Sequence, residues 1–102
     1  MARRLVVRPL AEADIEDAAG WYESEQRGLA SRFLVDLELV LERASESPLQ
    51  FPLVAEGIRR GLLHSFPYAV YFKDTEERIL ILAVLHLRRK PAVWRRRLRE
   101  SR

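Results

Sequence analysis

The chain has 102 residues, 48% of them hydrophobic and 32% charged, a composition typical of one small globular domain spanning residues 1–102. It contains no cysteine, which excludes disulfides, thiolate catalysis and cysteine-based zinc sites. No apolar run is long enough to cross a bilayer or to form a signal-peptide core, so we expect a cytoplasmic protein without a membrane partner.

The net charge of +3 conceals a strong asymmetry along the chain. Residues 86–102 carry eight basic side chains and one acidic, a net charge of +7. The preceding residues, 1–85, carry ten basic and fourteen acidic side chains, a net charge of −4. A positive end attached to a mildly negative body attracts polyanions, either nucleic acid or an acidic protein segment. The alternative is that these arginines only keep the C-terminal end solvated.

The first half of the chain predicts one strand and two helices. Leu5–Val7 is a short β-rich run that should end near Pro9. Residues 11–26 show helical periodicity with acidic side chains in the first turns, and residues 29–45 show it more strongly. Gly28 between them predicts a short joint and therefore an antiparallel helical hairpin.

The acidic residues of these helices are predicted to be surface features. Asp14 and its neighbours in the first helix suit the positive end of the helix dipole and add solubility. Asp36 lies off the apolar stripe of the second helix, so it should face outward.

The second half of the chain predicts three strands. An irregular loop over residues 48–57 precedes strands at residues 58–65, 68–73 and 78–87. The last of these is almost continuously apolar from Ile79 to Leu85, so we expect it in the middle of the sheet with both faces covered.

A short terminal helix completes the chain. Pro91 suits its first position, and Trp94 and Leu98 are spaced so that one face can dock while the arginines stay in solvent. The element order is thus β-α-α-β-β-β-α. We predict an α+β fold in which an antiparallel sheet of about four strands carries a helical hairpin on one face.

Candidate functional residues cluster at the ends of the predicted strands. His86 precedes Arg88 and Arg89, so its ring could act as an acid or base near neutral pH, or simply cap a strand edge. Arg59 and Arg60 begin another strand, where adjacent residues point to opposite faces. Two arginines, a histidine and an aromatic would resemble a ribonuclease-like site. The same set would equally dock an acidic peptide.

The remaining candidates carry less specific signals. His64 and His86 have no clear carboxylate partner, so no metal site is expected. The four glycines form no phosphate-binding loop, and no cofactor is expected. Tyr68 and Tyr71 have the character of core or interface aromatics with polar tips.

The stretch IRRGLLHSFPYAVYFKDTEERILILAVLHLRRKPAVW resembles the core of the ParE/RelE superfamily of bacterial toxin–antitoxin toxins, and its ParE branch more closely. The residues that carry the resemblance are Arg59, Phe66, Pro67, Tyr68, Tyr71, Ile79–Leu85, His86, Arg88, Arg89, Pro91 and Trp94. The upstream segment RPLAEADIEDAAGWYESEQRGLASRFLVDLELVLERASESPLQFP resembles the family's helical hairpin and the loop after it. The similarity covers nearly the whole chain.

The resemblance implies a plasmid-stabilisation type of toxin without a catalytic set of its own, which poisons DNA gyrase. A ParD-like or other small antitoxin would neutralise it through a C-terminal segment that folds on binding. The residues expected to contact the target or the antitoxin are Arg59, Arg60, Tyr68, Tyr71, His86, Arg88, Arg89, Trp94 and Arg97.

Two alternatives remain open from the sequence. The RelE branch cleaves messenger RNA on the ribosome, and here His86, Arg88 and Arg59 would be its catalytic candidates. Trp94 stands where that branch places a tyrosine, and indole has no acidic proton usable at neutral pH. Residues 47–65 also lack the lysines of that branch. The third possibility is an inactive orphan retained as a binding module.

Overall fold

The computed structural model describes the backbone of residues 2–100 and the side chains of residues 2–99. The elements are β1 (Arg4–Val7), α1 (Pro9–Glu25), α2 (Leu29–Glu46), a 3-10 turn (Pro48–Gln50), β2 (Leu53–Ala55), β3 (Ile58–Leu62), β4 (Tyr68–Asp74), β5 (Arg78–His86) and α3 (Pro91–Glu100). The predicted α+β class is confirmed. Within the described residues, no helix combines the length and apolar character needed to cross a membrane.

The strands form one sheet in the order β1-β5-β4-β3-β2. The predicted count of about four antiparallel strands was wrong in two respects. A fifth strand, β2, lies inside the segment predicted as a loop. It was not predicted because its three residues are too few to show an alternating pattern. In addition, β1 runs parallel to β5, since the intervening helices and strands give the chain ample length to return in the same direction.

The apolar strand β5 lies between β1 and β4, so its predicted central place in the sheet is confirmed. Ile79, Ile81 and Val84 belong to the core beneath the helical hairpin. Leu82 and Leu85 belong to a second core on the opposite face. Both faces of this strand are therefore covered, which explains its continuous hydrophobicity.

A register shift interrupts the regular alternation of β5 between the two cores. Tyr71 pairs with Ala83, whereas the next residue of β4, Phe72, pairs with Ile81, leaving Leu82 without an opposite partner. This extra residue is a β-bulge, and it places both Leu82 and Ala83 in the second core.

The helical hairpin packs as predicted, on one face of the sheet. Phe33, Leu37 and Val40 of α2 pack with Val70 and Phe72 of β4 in the first core. Glu23 fixes the joint between the helices, because its carboxylate accepts hydrogen bonds from the backbone N–H groups of Gly28 and Ala30. Gly28 adopts φ = 88°, a conformation that glycine adopts without strain.

Asp36 corrects the predicted outward face of α2, since this residue is only 7% exposed. Its two oxygens accept hydrogen bonds from the backbone N–H groups of His64 at 3.0 Å and Ser65 at 2.7 Å. A carboxylate with two backbone donors is satisfied where an unpaired one would be costly. The strand predicted over residues 58–65 consequently ends at Leu62, and Asp36 holds the turn that follows.

Candidate functional site

The sheet has one face covered by the helical hairpin; we name the opposite one the open sheet face. The terminal helix α3 docks on the open sheet face. Trp94 and Leu98 are 9% and 2% exposed and belong to the second core. The Trp94 ring stacks on Tyr71 of β4, with ring centroids 5.5 Å apart and an interplanar angle of 24°. The sequence prediction that these two side chains dock is confirmed, and the helix has a defined position on the body of the protein.

Arg60 joins Trp94 and Tyr71 on this face. Arg60 pairs directly with Tyr71 across β3 and β4, so the two side chains are neighbours on this face. Burial raises the pKa of Tyr71, and the nearby guanidinium of Arg60 opposes that rise. Three of the predicted candidates are thus brought together, with an arginine at the border of an aromatic stack.

Beside α3, the open sheet face contains a groove of about 460 Å³. Apolar side chains of β3 and β5 form its floor, and charged side chains surround them; the lining residues are Arg8, Glu56, Gly57, Ile58, Lys73, Leu80 and Leu82. Leu5 and Val7 pack toward the hairpin, so strand alternation places Arg4 on the groove side, next to its partner Arg78. The groove therefore has an apolar floor and a predominantly basic rim.

A second cluster joins α1, α3 and β5. The Asp14 carboxylate oxygen Oδ2 accepts hydrogen bonds from Arg97 Nη2 at 2.6 Å and from the backbone N–H of Val84 at 3.0 Å. Arg97 also donates to the carbonyl oxygens of Leu82 at 3.1 Å and Leu10 at 2.9 Å. Each of these five residues contributes to one network.

In this network, side chains take the place of a strand partner along the end of β5. Pairing between β1 and β5 ends at Val7 and Ile81, so the backbone groups of β5 beyond that point need other partners. Asp14 and Arg97 supply them. Burial raises the pKa of Asp14, while the hydrogen bonds from Val84 and Arg97 oppose the rise. The predictions that Asp14 is a solubility feature and that Arg97 stays in solvent were wrong.

His86 belongs to a small polar cavity of about 130 Å³ at the end of β5, next to Asp17, Tyr68 and Arg89. The rings of His86 and Tyr68 meet edge to face, with centroids 5.1 Å apart. The backbone N–H of Arg88 donates to His86 Nδ1 at 3.0 Å, so in the neutral ring the proton is on Nε2. Burial raises the pKa of Tyr68, and the charge of Arg89 opposes the rise.

Arg59 lies apart from this cavity. Its Nε donates to Asp74 Oδ1 at 3.0 Å, and its Nη1 donates to the carbonyl oxygen of Phe51 at 2.7 Å. Arg59 pairs with Phe72, four residues along β4 from Tyr68, the partner of His86. This separation is about 13 Å along the strand alone. Arg59 is therefore not brought together with His86, whereas Arg88 lies in the exposed turn after β5, beside the histidine.

The sequence did not predict the groove, although strand alternation does place one of its lining residues on the same face as Tyr71. Lys73 is two residues from Tyr71 on the same strand, and alternation places both on the same face. Arg8 follows β1 and precedes α1, where no periodicity marks its direction. In the described part of the chain, no three His, Asp or Glu side chains lie close enough to hold a metal ion.

Comparison with known proteins places this architecture in a class of toxins. The family model described as ParE toxin of type II toxin-antitoxin system, parDE, matches residues 5–91. The match covers most of the chain, and the chain belongs to this family of toxins.

A solved structure supports the fold. The chain is similar to one described as "Chromosomal ParDE TA system from P. aeruginosa", with 19% sequence identity and a TM-score of 0.73. The similarity covers 83% of this chain and 96% of that chain. At this identity it shows a shared fold. No curated protein sequence matches the chain.

Proposed function

We propose that the protein is the toxin of a type II toxin–antitoxin pair that inhibits DNA gyrase and is held inactive by a small antitoxin. The family match over residues 5–91 is the observation that carries this proposal. Both a gyrase and an antitoxin would be met in the cytoplasm. The toxin acts by binding, without chemistry of its own.

The separation of the basic residues favours a binding toxin over a ribonuclease. Cleavage of RNA needs groups that contact the phosphate and groups that move a proton at the same site. Arg59 is bound to Asp74 and Phe51 on the hairpin side of β3, far along the sheet from His86. The aromatic side chain of α3 is Trp94, which stacks on Tyr71 and has no acidic proton to give.

The groove on the open sheet face is the proposed antitoxin site. Its floor of Ile58, Leu80 and Leu82 accepts apolar side chains, and Arg8 and Lys73 at its rim attract carboxylates. An acidic, amphipathic segment that folds on binding would satisfy both properties, at an ordering cost of a few kcal/mol. The basic C-terminal end would also accelerate its encounter with such a segment.

The target is tested by inducing the toxin in cells that lack the antitoxin. A gyrase inhibitor should activate the DNA-damage response and block replication before protein synthesis falls, and the purified protein should inhibit supercoiling by gyrase. Arrest of translation with cleaved transcripts, in the absence of a DNA-damage response, would instead identify a ribonuclease. Normal growth of cells that contain the folded protein would identify an inactive binding module.

The antitoxin site is tested by reversing charge at the rim of the groove. Lys73→Glu and Arg8→Glu should weaken antitoxin binding at least about tenfold, because each replaces an attraction with a repulsion. Toxicity in cells without antitoxin should remain. Arg32→Glu is the matched control, because Arg32 is exposed on α2, an element of the hairpin on the other face of the sheet. Equal weakening by the control would show that only net charge matters and would remove the groove as the site.

A further inference from the structure

We propose that the solvent-facing side of α3 binds the phosphate backbone of duplex DNA. Residues 86–99 contain seven basic side chains and no acidic one. All of these except Arg97 are exposed. A duplex carries a dense array of negative charge and is the polyanion that such a surface best complements.

The arrangement of α3 concentrates these charges on one side. Successive helical residues are rotated by about 100°, so Arg95, Arg96 and Arg99 fall within an arc of about 100°. That arc lies on the side away from the buried residues Trp94 and Leu98. Arg88 and Lys90 precede the helix in an exposed turn and extend the same basic surface.

The helix is held rigidly, which favours binding by several arginines at once. Trp94 stacks on Tyr71, and Leu98 is almost completely buried. The ion pair of Arg97 with Asp14 joins the helix to α1. Arg95 lies over the Trp94 ring at 5.2 Å, so its stem has a preferred position. Because the helix is already fixed, little backbone conformational entropy is lost when its arginines meet phosphates.

The outer side of α3 and the groove differ in composition, so they suit different ligands. The groove has an apolar floor, which suits an acidic peptide, whereas arginines dominate the outer side of α3, with Ala92 between them and the exposed Val93 beside Arg96. Trp94 is buried against Tyr71, so it offers no ring on which an unpaired base could stack. Backbone phosphates are therefore the fitting ligand, and guanidinium groups bind them with bidentate geometry.

An α-helix fits the form of DNA better than that of double-stranded RNA. The major groove of B-form DNA admits an α-helix, with phosphates on both sides. The corresponding groove of A-form RNA is too deep and narrow. Arg95, Arg96 and Arg99 are proposed to contact backbone phosphates, which carry no sequence information, so the binding should be independent of sequence.

The test is fluorescence anisotropy with a labelled 20-bp duplex of arbitrary sequence, titrated at several NaCl concentrations between 25 and 200 mM. The assay contains neither gyrase nor antitoxin, so its outcome is independent of the proposed function. Affinity should fall as salt rises, because each neutralised phosphate contributes about −0.9 to the slope of log K against log salt. The double variant Arg95→Gln/Arg99→Gln should reduce that slope by about 2 and weaken binding at least about tenfold near 100 mM salt.

The matched control is Arg27→Gln/Arg32→Gln, which removes the same net charge from exposed positions at the helical hairpin. It should change affinity less than about threefold, because screening limits charges at a distance. Unchanged thermal unfolding would show that each variant folds. The proposal is overturned if DNA does not bind at 25 mM salt or if both double variants weaken it equally. It is also overturned if double-stranded RNA or a polyglutamate peptide binds more tightly than DNA.

Discussion

Arg97 Nη2 and Asp14 Oδ2 lie 2.6 Å apart and connect the last helix of the protein to the first. Both side chains are mostly buried, at 17% and 16% exposure. The pair also forms hydrogen bonds with backbone groups of β5 and with Leu10, so it acts as a junction between three elements. The position of α3 depends on this junction as well as on Trp94.

Arg97→Ala should therefore destabilise the protein by about 2–3 kcal/mol, somewhat less than a fully buried pair because water still reaches both groups. The substitution leaves the Asp14 carboxylate without its cation and removes the donor to two carbonyl oxygens. Urea denaturation measures the change. Arg99→Ala is the control, because Arg99 is exposed on the same helix and should change stability by less than about 0.5 kcal/mol. Equal effects would assign the loss to helix propensity or net charge.

The pH dependence of stability should report the buried state of Asp14. Burial raises its pKa above the ordinary 3.8, so the folded chain takes up this proton before the unfolded chain does. The contribution of Asp14 to the free energy of unfolding consequently falls as pH rises from the unfolded pKa through the folded one. We expect the stability of the wild-type chain relative to Asp14→Asn to be largest below about pH 4 and to decrease toward neutral pH. Subtracting the two denaturation series cancels the other carboxylates. An increase with pH would show that Arg97 and Val84 outweigh burial.

The central features of the fold could be predicted because local patterns encode them. The apolar run of β5 predicted a strand covered on both faces, and β5 indeed lies between β1 and β4. The spacing of Trp94 and Leu98 predicted that one face of the helix docks, and both side chains are buried. In each case the pattern reflects burial itself, which depends on a period of two or 3.6 residues.

The polar parts of the site could not be predicted in the same way. Asp14, Asp36 and Arg97 are satisfied by backbone groups 15 to 87 residues away, and no local period marks such partners. Alternation did predict that Arg59 and Arg60 diverge. It did not determine which of them would meet Tyr71 and which would be bound by Asp74. That assignment depends on which face the hairpin covers.

Two glycines offer a sharp test of packing on the hairpin side. A Cβ atom added at Gly61 of β3 would lie 2.9 Å from side-chain atoms of both Phe51 and Val40. Gly61→Ala should therefore cost about 1–3 kcal/mol through overpacking. Gly20→Ala is the opposite case, because nothing lies within 4 Å of its added Cβ. This position is inside α1, so alanine should stabilise the protein by about 0.5–1 kcal/mol. Thermal unfolding of both variants should show shifts of opposite sign, and a neutral Gly61→Ala would contradict the close approach of α2 to β3.

The two tryptophans distinguish a docked α3 from a loosely attached one. Trp94 stacks on Tyr71 and is 9% exposed, whereas Trp21 on α1 is 57% exposed and meets Tyr22 edge to face. Trp94→Ala should cost about 3 kcal/mol and accelerate amide exchange in α3, because the helix loses its main apolar contact with the sheet. Trp21→Ala should change stability much less and leave exchange in α3 unaltered. Slow exchange in α3 despite loss of the Trp94 ring would mean that the Arg97–Asp14 pair and Leu98 suffice to hold the helix. In that case the arginines of its outer side would keep their positions even without the aromatic stack.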